Sequence, residues 1–217
     1  MKFHLPGVYP ITDERISSLS HFEQVKRLIS GGAQIIQLRE KFGSPREFYE
    51  SAVKSLEIAR AQGCKIIIND RVDIALAAGA DGVHLGQDDL PPEKARGILG
   101  PHAIIGFSTH SAGRAIHAMS LPIDYIAIGP IFTTCSKESP DEVVGLEGLK
   151  AVRSHVGDFA LVAIGGINAD NLLAVLQAGA GSAAMIEAII SDPAMIEERL
   201  RHLIRIGARP SKAWPAS

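Results

Sequence analysis

The chain has 217 residues, 46% of them apolar and 21% charged, with a formal net charge of −2. That balance fits a soluble globular chain long enough to bury one large core, and it carries no electrostatic footprint for nucleic acid or an anionic membrane surface. No apolar run reaches the ~18 residues of a membrane-spanning helix, and the start MKFHLPGVYPITD lacks a secretory core region. Cys64 and Cys135, neither in a CxxC pair, read as reduced thiols of a cytoplasmic protein and exclude a disulfide framework.

Residues 7–12 (GVYPIT) form the first expected strand, ending at Asp13. Ser20 and Glu23 fit a capping box, and Phe22, Val25, Leu28 and Ile29 share a helical face until Gly31-Gly32 stops it. A second strand, IIQL, runs straight into Arg39-Glu40-Lys41; Ser44-Pro45-Arg46-Glu47 then opens a helix with Phe48, Ala52, Leu56 and Ala59 along one side.

Residues 65–90 (KIIINDRVDIALAAGADGVHLGQDDL) hold two apolar runs. Each breaks off into chemistry: Asn69-Asp70-Arg71 after the first, Gly86-Gln87-Asp88-Asp89 after the second. A short helix ending at Gly79 separates them. Strand, polar turn, helix, strand, polar turn is a βαβ unit, which places both polar turns at one edge of a parallel sheet. Asp70 and Asp89 are therefore expected close together. Two carboxylates without nearby thiols suit a hard cation such as Mg2+. The plainer alternative is that each aspartate caps the helix after it.

The unit repeats. A helix from Pro91-Pro92 ends at Gly100; strand 103–106 ends in Phe107-Ser108-Thr109-His110; a small-residue helix over 111–120 leads to strand Tyr125–Ile128 and the long turn 129–145. Residues 146–153 read as helix and 160–164 as strand, ending in Gly165-Gly166. Asn168 is expected to cap the next helix, 182–186 is the last strand, and Asp192-Pro193 caps the final helix. Eight strands alternating with helices predict a (β/α)8 TIM barrel in one domain, residues 1–206, with a disordered tail over 207–217. A doubly wound sheet would need a Gly-rich fingerprint after the first strand, where Asp13-Glu14-Arg15 stands instead.

In a barrel the strand ends share one rim. They would bring together Thr12 and Asp13; Gln37, Arg39 and Lys41; Asn69, Asp70 and Asp89; Ser108 and His110; Thr133, Thr134, Ser136 and Lys137; Gly165-Gly166; and Ile186-Glu187. Carboxylates, cations, hydroxyls and a Gly-Gly anion nest describe a site for a polyanionic substrate plus Mg2+. Any one of the cations taken alone is more often a solvated surface charge; their convergence at strand ends is what argues for a site. His84, inside a strand, and His117 are read as structural.

The motifs QLREK (37–41), NDRVDIALAAGADGVHLGQDDL (69–90), IGFSTHS (105–111), YIAIGPIFTTCSK (125–137), GLEGL (145–149) and AIGGI (163–167) resemble those of the thiamine phosphate synthase family over nearly the whole chain. That resemblance implies a transferase joining an aminopyrimidine diphosphate to a thiazole phosphate with release of pyrophosphate. It assigns Gln37, Leu38, Arg39, Glu40, Lys41, Asn69, Ser108 and Lys137 to the pyrimidine diphosphate. Asp70 and Asp89 go to Mg2+, and Thr134, Ser136, Gly166, Ile186 and Glu187 to the thiazole phosphate. Arg39, Lys41, Ser108 and Lys137 carry the catalytic roles. Asp88 departs from a more usual Glu, Cys135-Ser136 from a second Thr, and Glu187 from a Ser at the phosphate end of the last strand. The competing readings are a thiazole tautomerase of the same superfamily, using a rim group such as His110 without metal, and a non-catalytic phosphate-binding barrel. The partners implied are small molecules, with no nucleic acid and no membrane; a homo-oligomer is compatible with the sequence.

Overall fold

The computed structural model describes residues 5–134 and 142–208. Its strands are β1 (Val8–Thr12), β2 (Ile35–Leu38), β3 (Lys65–Asn69), β4 (Gly82–Leu85), β5 (Ile104–Thr109), β6 (Tyr125–Ile128), β7 (Leu161–Ile164) and β8 (Ser182–Met185). They pair in parallel in sequence order, and β8 closes on β1 through Val8–Ala183 and Pro10–Met185. The (β/α)8 expectation holds.

The strands read as continuous apolar runs because both their faces are buried. Alternation sends Tyr9, Ile11, Ile35, Ile67, Tyr125, Ala127, Val162 and Ala184 into the barrel interior. Their neighbours Ile36, Leu38, Ile66, Ile68, Val83, Leu85 and Ile105 face the helices. Each fully buried aliphatic side chain contributes about 1.5–3 kcal/mol relative to exposure, so two nested apolar layers stabilise the closed form.

The outer layer comprises α1 (Glu14–Ser17), α2 (His21–Ser30), α3 (Pro45–Ala61), α4 (Val72–Ala78), α5 (Pro92–Leu99), α6 (Ala112–Ala118), α7 (Gly145–Val156), α8 (Leu172–Gln177), α9 (Glu187–Ile190) and α10 (Ile196–Gly207). Ser44 and Glu47 complete a reciprocal capping box on α3, whereas Ser20 caps α2 by accepting from Glu23 N. The face of α2 turned to the core includes His21 and Gln24 as well as Val25 and Leu28, because Asp13 N donates to Gln24 Oε1 at 3.1 Å.

Several local expectations shift. Asn168 does not cap α8: its Oδ1 accepts from Asp170 N, its own N donates to Asn171 Oδ1, and the helix begins at Leu172. The last strand stops at Met185, so Glu187 opens the short α9. Asp192 caps a 3-10 turn, Pro193–Met195, before α10, which runs through Gly207. Cys135, Ser136, Lys137 and Trp214 lie outside the described residues. No helix among the described residues is long and apolar enough to cross a membrane.

Candidate active site

The turn after β3 brings Asp70 out of the strand in left-handed backbone, φ 63°, a conformation that Asp and Asn tolerate better than most residues. Its N–H donates to His84 O at 2.8 Å, which ties it to β4. Lys41 Nζ lies 2.5 Å from Asp70 Oδ2, reaching over from the turn after β2. Asp89 closes its own turn by accepting from Gly86 N at 2.6 Å. Burial, then the neighbouring Asp70 carboxylate, push the Asp89 carboxyl above its usual range, while Gly86 N–H and Lys41 act against them. The two aspartates thus meet, as the βαβ argument requires.

Neither aspartate caps a helix. The N-cap of α4 is Arg71 and that of α5 is Pro91, both without a side-chain cap bond. The donor set, two carboxylates beside the buried Asn69, fits a hard divalent cation, and the repulsion from the Asp70 charge that helps raise the Asp89 carboxyl is what such an ion relieves.

The QLREK turn is held from two sides. Arg39 donates to Asp13, which also caps α1 through Arg15 N and Ile16 N. Glu40 folds back onto Phe42 N and Gly43 N, each at 2.7 Å, and meets His21 Nε2 at 3.3 Å. His21 Nδ1 lies 2.7 Å from Thr12 Oγ1. Thr12 is therefore buried behind the sheet and not on the open rim as the sequence implied. Glu14, His21 and Glu40 have ligand-type atoms within 4.8 Å of one another, but both ring nitrogens of His21 are already engaged, so the cluster acts as a strut for the turn. The side chain of Leu38 packs outward among the helices, which leaves its backbone to the rim.

Inside the barrel His84 links Ser108 Oγ (2.8 Å from Nε2) to Tyr125 Oη (2.9 Å from Nδ1). Tyr125 Oη meets Tyr9 Oη at 3.2 Å, and Gln37 Nε2 donates to Tyr9 at 3.3 Å. Burial holds the His84 imidazole well below its ordinary value, at about 4, so it is neutral. His84 is a satisfied core histidine, as expected, but its link to Ser108 and Gln37 escaped the sequence reading. Tyr9, His84 and Tyr125 at inward positions of three strands were the available signal.

On the far side of the rim, Gly165 and Gly166 both have positive φ, 102° and 64°. A Cβ on Gly166 would stand 2.6 Å from Thr133 O, so only glycine lets this turn pass under the Thr133 backbone. Asn171 Nδ2 donates to Gly166 O at 3.0 Å and fixes the turn. Thr134 is half-buried nearby in sequence to this contact. Ile186 is the N-cap of α9. The exposed Glu187 lines a cleft of about 400 Å³ with Arg199 and His202. His110 Nδ1 is bound to Gly129 O at 2.7 Å.

A closed barrel with acids, cations and a Gly-Gly turn at the carboxyl ends of its strands defines a (β/α)8 enzyme with its site at the rim. The family model for thiamine monophosphate synthase matches residues 8–189. A thiamine-phosphate synthase of Chloroflexus aurantiacus is 40% identical over 202 residues, covering 92% of this chain and 93% of the relative. One from Koribacter versatilis is 44% identical over 196 residues, covering 87% and 91%. The solved thiamine phosphate pyrophosphorylase of Pyrococcus furiosus superposes with a TM-score of 0.84 at 36% identity, over 93% of this chain and 95% of that one. The chain belongs to the thiamine monophosphate synthase family and is a transferase.

Proposed function

We propose that the chain joins an aminopyrimidine diphosphate to a thiazole phosphate in a Mg2+-dependent, dissociative reaction on this rim. The observation that carries the reading is the meeting of Asp70 and Asp89 with Lys41 beside them. When bound there, Mg2+ would neutralise diphosphate charge. Lys41, Arg39, Lys137 and Ser108 would serve the same leaving group as ligands of the diphosphate, and Gln37 and Asn69 the pyrimidine end; Leu38 and Glu40 contribute backbone and turn geometry.

The C–O bond to the diphosphate breaks with its electron pair leaving on pyrophosphate, and the electron-rich aminopyrimidine stabilises the methylene cation. The thiazole nitrogen lone pair then forms the C–N bond, so no proton transfer and no side-chain nucleophile are needed. The Gly166 turn, Thr134, Ser136 and the backbone at Ile186-Glu187 hold the thiazole phosphate in line. Lys41 in this reading exchanges the Asp70 carboxylate for pyrophosphate oxygens, which makes its stabilisation specific to the developing charge.

Coupled assay of thiamine phosphate formation, with and without Mg2+, tests the reading. Product only with the metal supports it. Isomerisation of a thiazole without metal would favour the tautomerase, and binding without turnover would favour a sensor. The small-molecule partners follow from this reading, as does a cytoplasmic location.

A further inference from the structure

Resting on that reading of Ser108 as a diphosphate ligand, we infer that His84, Tyr125 and Tyr9 are positioning residues that turn the Ser108 hydroxyl into an obligate hydrogen-bond donor towards the substrate. The observations are a continuous polar chain across the barrel interior and a count of its protons.

Gln37 Nε2 donates to Tyr9 Oη at 3.3 Å, and its amide also interacts with Tyr125. Each phenol carries one proton. Tyr9 reaches Tyr125 at 3.2 Å, and Tyr125 reaches His84 Nδ1 at 2.9 Å. The arrangement that places every proton runs from Gln37 through Tyr9 and Tyr125 into the lone pair of Nδ1. A neutral imidazole has a single N–H, which then lies on Nε2 and donates to Ser108 Oγ at 2.8 Å. With that lone pair of Ser108 occupied, its own O–H points away from His84, to the rim. Run in the opposite direction, the same chain would leave the Gln37 amide N–H and a phenol proton in conflict and would make Ser108 spend its proton on His84. An anionic leaving oxygen needs the first arrangement, since a donor strengthens its bond as charge accumulates.

The packing holds the chain in place. The His84 and Tyr125 rings stack with centroids 5.5 Å apart and planes 21° from parallel. A Cβ on Gly106 would stand 2.0 Å from Tyr125 Cζ and 2.5 Å from His84 Nδ1, so the glycine of the IGFSTHS motif is the space the network occupies. Tyr9, Tyr125 and His84 are all buried among apolar neighbours, where an unmatched proton is costly.

The test reads the tautomer directly. In the free, full-length protein labelled with 15N-histidine, the His84 signal, assigned by its loss in His84→Gln, is expected to show a protonated Nε2 and an unprotonated Nδ1. A protonated Nδ1 would overturn the inference whatever the enzyme's activity, which separates its failure from that of the functional reading. Tyr125→Phe keeps the ring and removes the donor to Nδ1. It is expected to lower kcat about tenfold, the scale of one hydrogen bond, with KM for the thiazole phosphate unchanged. His84→Gln, whose amide N–H can replace Nε2–H, is expected to retain more activity than His84→Leu. Unchanged kcat in folded Tyr125→Phe, or equal loss in the two His84 variants, would equally overturn it.

Discussion

Lys41 Nζ and Asp70 Oδ2 stand 2.5 Å apart, joining the turn after β2 to the turn after β3 across 29 residues of chain. The pair is partly exposed, the lysine side chain 43% and the aspartate 19%, so with solvent screening it contributes at most ~1 kcal/mol and is readily exchanged for stronger partners. A cation for the aspartate and a diphosphate for the lysine are such partners.

Asp70→Asn and Asp89→Asn should each lower turnover at least tenfold and raise the Mg2+ concentration needed for half-activation. Asn suits the left-handed backbone at Asp70, so the fold is expected to survive. Mg2+ titrations of initial rate, alongside thermal unfolding, check this. Wild-type rates in both variants at limiting Mg2+ would remove the metal assignment.

Gly166→Ala should weaken thiazole phosphate selectively. The new methyl would meet Thr133 O at 2.6 Å in backbone with φ 64°, a strain of about 1–3 kcal/mol that the turn relieves only by moving. A tenfold or larger rise in KM for thiazole phosphate, with KM for the pyrimidine diphosphate within twofold, is the expected result.

Glu187→Ser should change KM for thiazole phosphate less than about tenfold. A carboxylate aimed at a phosphate ~4 Å away would be repelled by about 4 kcal/mol at an effective dielectric near 20, which a working site could not absorb. Glu187 is exposed and lines the cleft that also holds Arg199 and His202, and the function proposed above assigns its backbone rather than its carboxylate to the phosphate. Hundredfold tighter binding in the variant would show the carboxylate pointing inward.

Stability should fall as pH drops from about 6.5 to 4. Burial lowers the His84 value from 6.5 to about 4 in the folded protein, so between those limits the unfolded chain takes up the proton first. The contribution is fully present above pH 6.5 and amounts to about 3 kcal/mol at most. Burial lowers His21 in the same direction. Chemical denaturation at pH 7, 6, 5 and 4.5 measures the slope, which His84→Gln should flatten; an unchanged slope would place the titration elsewhere.

The barrel was legible in the chain itself. Strands buried on both faces write themselves as apolar runs, their turns as Gly, Asp and Asn, and the eightfold alternation permits little else. The encounter of Asp70 with Asp89 was legible too, because a parallel βαβ unit has one handedness and one functional edge. Capping alone could have explained each aspartate, and only the structure, where Arg71 and Pro91 stand at the caps, removes that alternative.

What the sequence by itself determined is thus everything that follows from short-range pattern: periodicity, turn chemistry, strand count and the direction of each strand end. What only the tertiary structure decided is which polar side chains meet after closure. Tyr9 and Tyr125 share a hydrogen bond across a separation of 116 residues, Thr12 turns outward to His21, and Arg39 pairs with Asp13. Alternation tells which face a residue occupies, but the neighbour it finds there is set by the stagger and curvature of the closed sheet, which no local run of residues encodes.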